Sequence, residues 1–175
     1  MSDPMVIETD RLSLELLLPE TLEGFLSGDQ RSVELIQGRT FPEDFLGPMD
    51  DFFLKVQLGR MMSRPSGRGW CARAIVRRED GVVIGHCGFH GPPEDVGRPE
   101  IGYSVLQSYR RQGYAVEAAR GLVDWARDQG ETVVFAAVAP DNAASLAVVT
   151  CLGFQQTGVQ IDEVDGEESV FELRL

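Results

Sequence analysis

The segment from Glu100 to Ala126 constrains this chain more than any other part of it. Glu100-Ile101-Gly102-Tyr103-Ser104-Val105-Leu106 reads as a strand, and Arg110-Arg111-Gln112-Gly113-Tyr114-Ala115 follows it. From there Ala115, Ala118, Ala119, Leu122, Val123 and Ala126 recur on one helix face, and Gly130 stands where that helix should stop. A strand that feeds a helix in this way presents the helix's first backbone N–H groups, which have no intrahelical partner, to whatever docks at the loop. Gly113 allows a close backbone approach, Ala115 keeps the first turn small, and Arg110 and Arg111 add positive charge. These properties suit a diphosphate.

Around this segment the pattern is mixed α/β. Val6 to Leu18 reads as one opening strand, with Arg11, Ser13 and Glu15 alternating against Leu12, Leu14 and Leu16 until Pro19 ends it. From Glu20 to about Arg64 a helical pattern is cut into pieces by Gly28, Gly38, Pro42, Gly47 and Pro48. Trp70 to Arg77 and Val82 to Phe89 read as an antiparallel pair joined through Asp80-Gly81, and Gly91-Pro92-Pro93 breaks the chain before Glu100. Thr132 to Ala139 is a nearly unbroken apolar run, which predicts a central strand covered on both faces. Asn142 can cap a helix from Ala143 to Leu152 that Gly153 terminates, and strands near Gln156 to Val164 and Ser169 to Leu175 meet at Asp165-Gly166.

Composition excludes several function classes. A net charge of −12 argues against general nucleic-acid affinity, which needs a Lys/Arg surface; it would favour a cationic substrate or partner, or simply serve solubility. The 175 residues, 43% of them hydrophobic, suit one domain spanning 1-175. No apolar run is long enough to span a membrane, and Met1-Ser2-Asp3-Pro4 lacks the basic and apolar segments of an export signal, so a cytoplasmic location is expected. Cys71, Cys87 and Cys151 read as reduced core thiols. His86 and His90 are four apart without a third ligand at suitable spacing, so no metal is expected. Gly67-Arg68-Gly69-Trp70-Cys71-Ala72 matches a dinucleotide fingerprint in letters but leads into a strand, and no Gly-Lys-Ser/Thr stands in the chain to make a P-loop.

Arg110 to Ala115 resembles the cofactor motif of the GNAT superfamily of N-acetyltransferases: Arg or Gln, two residues, Gly, one residue, then Gly or Ala. Ala139-Pro140-Asp141-Asn142-Ala143-Ala144-Ser145 and Cys151-Leu152-Gly153-Phe154 look like that family's second block, and Asn142 is the only Asn in the chain. Glu8-Thr9-Asp10-Arg11-Leu12 and Glu100-Ile101-Gly102-Tyr103 are similar to the branch that acetylates ribosomal-protein N-termini. The resemblance spans residues 6 to 160. It implies an α+β (mixed α/β) GNAT-like fold, with a mostly antiparallel central sheet of about six to seven strands flanked by about four helices. It also implies a transferase that uses acetyl-CoA as cosubstrate.

By that resemblance, Arg110, Arg111, Gln112, Gly113, Tyr114 and Ala115 hold the CoA diphosphate, and Asn142 binds the CoA arm or merely caps its helix. Backbone groups of Val105 and Leu106 face the pantetheine and the thioester carbonyl, where an oxyanion develops. An amine is protonated at neutral pH, and Glu100 is the matching carboxylate to take its proton, directly or through water; the bland alternative is a surface charge at a strand edge. The family's usual Tyr, four residues before the Gly of Leu-Gly-Phe, is Val149 here. Ser145 is therefore the nominee to protonate the departing thiolate, although a thiol also leaves unaided. Tyr103, Tyr109, Trp70 and Trp125 read as packing residues; the stretch from Phe52-Phe53-Leu54 to Met61-Met62 reads as core too, or by the resemblance as the roof of the acceptor cleft. The expected acceptor is an amine, on a protein N-terminus or a small molecule, with no nucleic acid or membrane partner and with a homodimer left open. A catalytically silent acyl-CoA-binding or regulatory module is the alternative that Val149 raises.

Overall fold

The computed structural model describes residues 5–47, 50–162 and 166–175. Its elements run β1 (Val6–Glu8), β2 (Leu12–Leu16), α1 (Pro19–Ser27), α2 (Gln30–Gln37), α3 (Asp50–Ser63), β3 (Arg73–Arg77), β4 (Val83–Phe89), α4 (Pro93–Val96), β5 (Ile101–Val105), α5 (Tyr114–Asp128), β6 (Val133–Val138), α6 (Ala143–Leu152), β7 (Gln155–Asp162) and β8 (Gly166–Arg174). Short 3₁₀ turns occupy Pro65–Trp70 and Gln107–Tyr109. The strands form a five-stranded sheet, β1-β2-β3-β4-β5, and a three-stranded sheet, β6-β8-β7, with antiparallel ladders throughout.

The two sheets meet at one parallel bridge, Glu100 with Phe135, where the Phe135 N–H donates to the Pro99 carbonyl at 2.8 Å. Beyond it no ladder joins β5 and β6 among the described residues, so the parallel strands separate toward their C-terminal ends. That opening positions the site. Ile101 and Val105 point into a core shared with α5 and α6, built on Leu122, Val123, Trp125 and Val149. The opposite face of the sheet packs Ala72, Ala74 and Val76 against Leu22, Val33, Leu54 and Met61 of α1 to α3. Burying each of these Leu, Val, Ile and Met side chains stabilises the fold by roughly 1.5–3 kcal/mol.

Several sequence expectations need correction. The opening strand is a hairpin, because Thr9 turns the chain: its N–H donates to the Leu12 carbonyl at 2.9 Å, its hydroxyl accepts from the Leu12 N–H at 3.1 Å, and Ile7 faces Leu14. Trp70 precedes β3 and packs edge-on against Phe89 and Trp125, at 4.7 and 4.6 Å between ring centroids. β6 alternates between half-buried and buried residues, whereas β3 and most of β4 are covered on both faces, since they lie between α5 and the α1 to α3 layer. Cys71 and Cys87 are buried, but Cys151 is exposed on α6. The expected Asp165-Gly166 turn begins outside the described residues, as do Met1 to Pro4 and Pro48. Helices α5 and α6 occupy the predicted segments, and the Gly67 to Ala72 stretch does lead into β3.

Candidate active site

The loop between β5 and α5 is held in an unusual backbone conformation. Arg111 has φ +59°, and among the described residues no other non-glycine has a positive φ. Such a left-handed L-residue costs about 1–2 kcal/mol, so the surroundings must enforce it. Gly113, at φ +82°, is the N-cap of α5, and no side chain caps that end of the helix. The first intrahelical donor is Glu117, whose N–H reaches the Gly113 carbonyl at 3.0 Å. The amides of Tyr114, Ala115 and Val116 are therefore left at the helix end by α-helical geometry, as an anion site requires.

What enforces the loop was not legible in the sequence. Glu117, in the first turn of α5, accepts from the Thr9 hydroxyl at 2.6 Å, the Arg11 N–H at 2.7 Å and Arg11 Nε at 2.6 Å. Arg11 Nη1 then donates to the Gln112 carbonyl at 3.1 Å, and its guanidinium lies 4.5 Å from the centre of the Tyr114 ring. The β1–β2 turn thus clamps the loop. Burial pushes the Glu117 carboxyl up, but the bonds from Thr9 and Arg11 outweigh it and hold the group below its ordinary value. On the neighbouring side Arg77, paired with Asp80, lies over the Tyr109 ring at 5.2 Å. The quoted stretch Glu8 to Leu12 was the one sequence clue to the clamp.

A cleft of about 910 Å³ opens where β5 parts from β6. The loop residues Arg110, Arg111, Gly113, Tyr114 and Ala115 form one wall, and Asn142 and Ser145 at the start of α6 form the other. Gln112 contributes its place in the exposed loop and its carbonyl to Arg11. Arg110 bends back, its Nε donating to the Val105 carbonyl at 2.8 Å. Asn142 caps α6, accepting the Ser145 N–H at 3.0 Å. Tyr103, expected only to pack, also lines the cleft; its hydroxyl donates to the Ser145 carbonyl at 3.3 Å, and burial pushes the phenol up to about 12. Val149 is fully buried in the core, so that position presents nothing to the cleft.

The two backbone candidates separate. The Leu106 N–H donates to the Ile84 carbonyl at 2.9 Å, within the β4–β5 ladder. The His90 N–H donates to the Glu100 carbonyl at 2.9 Å in the same ladder, so residues 100, 102, 104 and 106 turn their backbone groups toward β4. By the same alternation Tyr103 and Val105 turn theirs toward the opening. The Leu106 N–H is thus taken up by the ladder, whereas the Val105 N–H is turned away from it.

Glu100 is not among the cleft walls. It is 7% exposed at the closed end of the opening, and its carboxylate meets Arg98 Nη2 at 2.6 Å and His90 Nδ1 at 3.4 Å. This is a buried, partnered carboxylate, in contrast to a strand-edge surface charge. His86 lies on the same face, packed between Phe45 and Phe53 at ring-centroid distances of 5.7 and 5.9 Å, and burial holds its imidazole below the ordinary value. Among the described residues no cluster of three His, Cys, Asp or Glu side chains is disposed to hold a metal, and no helix is long and apolar enough to cross a membrane.

Comparison with known proteins agrees with this geometry. Residues 11–155 match the family model of the acetyltransferase (GNAT) domain. The chain is 31% identical over 154 residues to the uncharacterized N-acetyltransferase YjdG of Bacillus subtilis (strain 168), covering 86% of this chain and 89% of YjdG. Among solved structures, the ribosomal-protein-S5-alanine acetyltransferase of Vibrio fischeri superposes with a TM-score of 0.64 at 16% identity, over 98% of this chain and 97% of that one. The microcin C7 self-immunity acetyltransferase MccE, solved in complex with acetyl-CoA and AMP, superposes with a TM-score of 0.64 at 16% identity, over 95% and 94%. The uncapped α5 N-terminus, the flanking arginines and the adjoining cleft fit the diphosphate and arm of acetyl-CoA. The chain belongs to the GNAT acetyltransferases, enzymes that take their acetyl group from acetyl-CoA.

Proposed function

We propose that this protein transfers the acetyl group of acetyl-CoA to a primary amine, on a protein N-terminus or a small molecule, by direct attack in the opening between β5 and β6. The observation that carries the reading is the uncapped N-terminus of α5 at the mouth of a cleft that runs to the parted strands. The amides after Gly113, with Arg111, hold the diphosphate, and Asn142 and Ser145 border the arm. Val105 N–H faces the thioester carbonyl and stabilises the oxyanion as the amine adds. The tetrahedral adduct then expels the thiolate. That group is weakly basic, with a pKa near about 8.5 on the cysteine scale, so the hydroxyls of Ser145 and Tyr103 assist its departure without being required. The ammonium proton leaves toward the Glu100 end of the opening, where the buried carboxylate and its partner His90 stand.

The cytoplasm, where amines and acetyl-CoA coexist, is the proposed location. The test is turnover of purified protein against a panel of amino acids, polyamines, aminoglycosides and N-terminal peptides, followed by free-thiol release. Acetyl-amine formation with stoichiometric thiol supports the reading. Acetyl-CoA binding without thiol release from any amine supports the silent module instead.

A further inference from the structure

Glu100 is poorly placed to meet an amine by itself. It sits where β5 and β6 still pair, five residues before Val105, or about 16 Å along an extended strand. Its carboxylate is shielded by the protein and engaged by Arg98 through Nε at 2.9 Å and Nη2 at 2.6 Å. Both Arg98 nitrogens meet the same oxygen, Oε2, so that oxygen is already occupied by donors. Its other oxygen, Oε1, faces His90 Nδ1 at 3.4 Å, and the His90 side chain is half-exposed.

The imidazole extends toward the reacting end. His90 and Glu100 are directly opposed in the β4–β5 ladder, so both side chains leave the same face of the sheet, the one packed by α1 to α3. The ring lies over Gly102: a Cβ there would be 3.3 Å from His90 Nε2 and 3.8 Å from Cδ2. A side chain at 102 would press the imidazole out of that place by a few tenths of an ångström. Nε2 is thus about two residues nearer to Val105 than Glu100 is, on the face opposite the cleft walls.

We infer that His90 Nε2 is the group that takes the proton from the acceptor ammonium, with Glu100 as the positioning residue that holds Nδ1–H and stabilises the imidazolium. The inference rests on the acetyltransferase reading above. In the step, an N–H bond of the ammonium breaks and its proton passes to Nε2, directly or through one water, and then to solvent. The neutral amine's lone pair forms the C–N bond to the thioester carbonyl, and the electron pair of the C–S bond leaves with sulfur. The second nitrogen proton, released from the tetrahedral adduct, goes to the thiolate or to water. The 3.4 Å contact is at the long end for a hydrogen bond, and catalytic contacts of this kind often tighten in substrate complexes. Arg98, bonded to the other oxygen of the carboxylate, fixes its orientation.

The test uses His90→Ala, His90→Gln and Glu100→Gln in the full chain, with an amine the parent acetylates. Both His90 variants should lose about a hundredfold or more in kcat while the KM for acetyl-CoA stays within about twofold, and added imidazole should restore part of the rate to His90→Ala. Gln can donate from the position but cannot take the proton, so a His90→Gln enzyme with parental kcat overturns the proposal. So does a His90→Ala kcat within about threefold of the parent. If Glu100→Gln is then inactive, Glu100 acts without the imidazole and the acetyltransferase reading stands. A parent that releases no thiol from any amine overturns that reading, and this proposal with it.

Discussion

Replacing Glu117 by Ala removes the acceptor of three bonds at once, from the Thr9 hydroxyl, the Arg11 N–H and Arg11 Nε. Bonds to a charged group contribute about 1.5–3 kcal/mol each when shielded. The Arg11 side chain is 48% exposed, which reduces its ion-pair share to roughly 0.5 kcal/mol. With the Thr9 and backbone bonds at the lower end of the range, the total is about 3.5 kcal/mol. For a chain of 175 residues this lowers Tm by about 7–14 °C. The functional effect is separate. Without the clamp, Arg11 no longer fixes the Gln112 carbonyl and the Tyr114 ring, and the left-handed Arg111 is free to relax. The KM for acetyl-CoA should rise about tenfold, equivalent to about 1.4 kcal/mol. Thermal melts and steady-state kinetics measure both quantities, with Glu117→Gln as the shape-conserving control. A Tm within 1 °C of the parent would refute the estimate. An expected Tm fall with KM unchanged would show that the clamp supports the fold but not the cofactor loop.

Gly113→Ala places a side chain at φ +82°, with its Cβ 3.4 Å from Arg11 Nη2, and should lower stability by about 1–2 kcal/mol and raise the KM for acetyl-CoA more than it lowers kcat; calorimetric titration of CoA checks this. Ser145→Ala should reduce kcat only modestly, by about threefold or less, because the thiolate leaves without a donor; complete loss of kcat with intact CoA binding would contradict this. His86 gives a pH signature. Burial lowers its folded pKa below the unfolded value of 6.5, with Asp50 opposing, so its contribution is intact above pH 6.5 and is lost as pH falls toward the folded pKa. Stability should therefore fall by up to about 1.4 kcal/mol per pH unit below 6.5, and urea titrations of His86→Gln should show that slope diminished. At lower pH, below about 4.5, the depressed Glu117 carboxyl adds a second loss, which Glu117→Gln abolishes.

The parts of the fold that were readable from sequence were those set by neighbours in the chain. Helix α6 runs from Ala143 to Leu152, bounded by the Asn142 cap and Gly153, because cap chemistry is local. Helix α5 was readable from the spacing of Ala118, Ala119, Leu122 and Ala126, all buried. The β1–β2 hairpin was missed because residue alternation continues on both sides of the Thr9 turn. The coverage of β6 was misjudged because it depends on how far α1 to α3 extend, which its own residues do not encode. The same limit applies to the site. Arg110 to Ala115 identified the loop, but Thr9, Arg11 and Glu117 meet across more than a hundred residues. Leu106 and Val105 differ in backbone orientation through the parity of the β4–β5 ladder, and Glu100 acquired its partners from a neighbouring strand and loop.

The central claim is that the CoA diphosphate rests on the N-terminus of α5. A crystal structure of the protein with CoA tests it most directly. The account expects diphosphate oxygens about 2.7–3.2 Å from backbone nitrogens between Gln112 and Val116, with the arm running between Val105 and the start of α6. A diphosphate held elsewhere, for instance among the Arg11, Arg77 and Arg78 side chains, would contradict it.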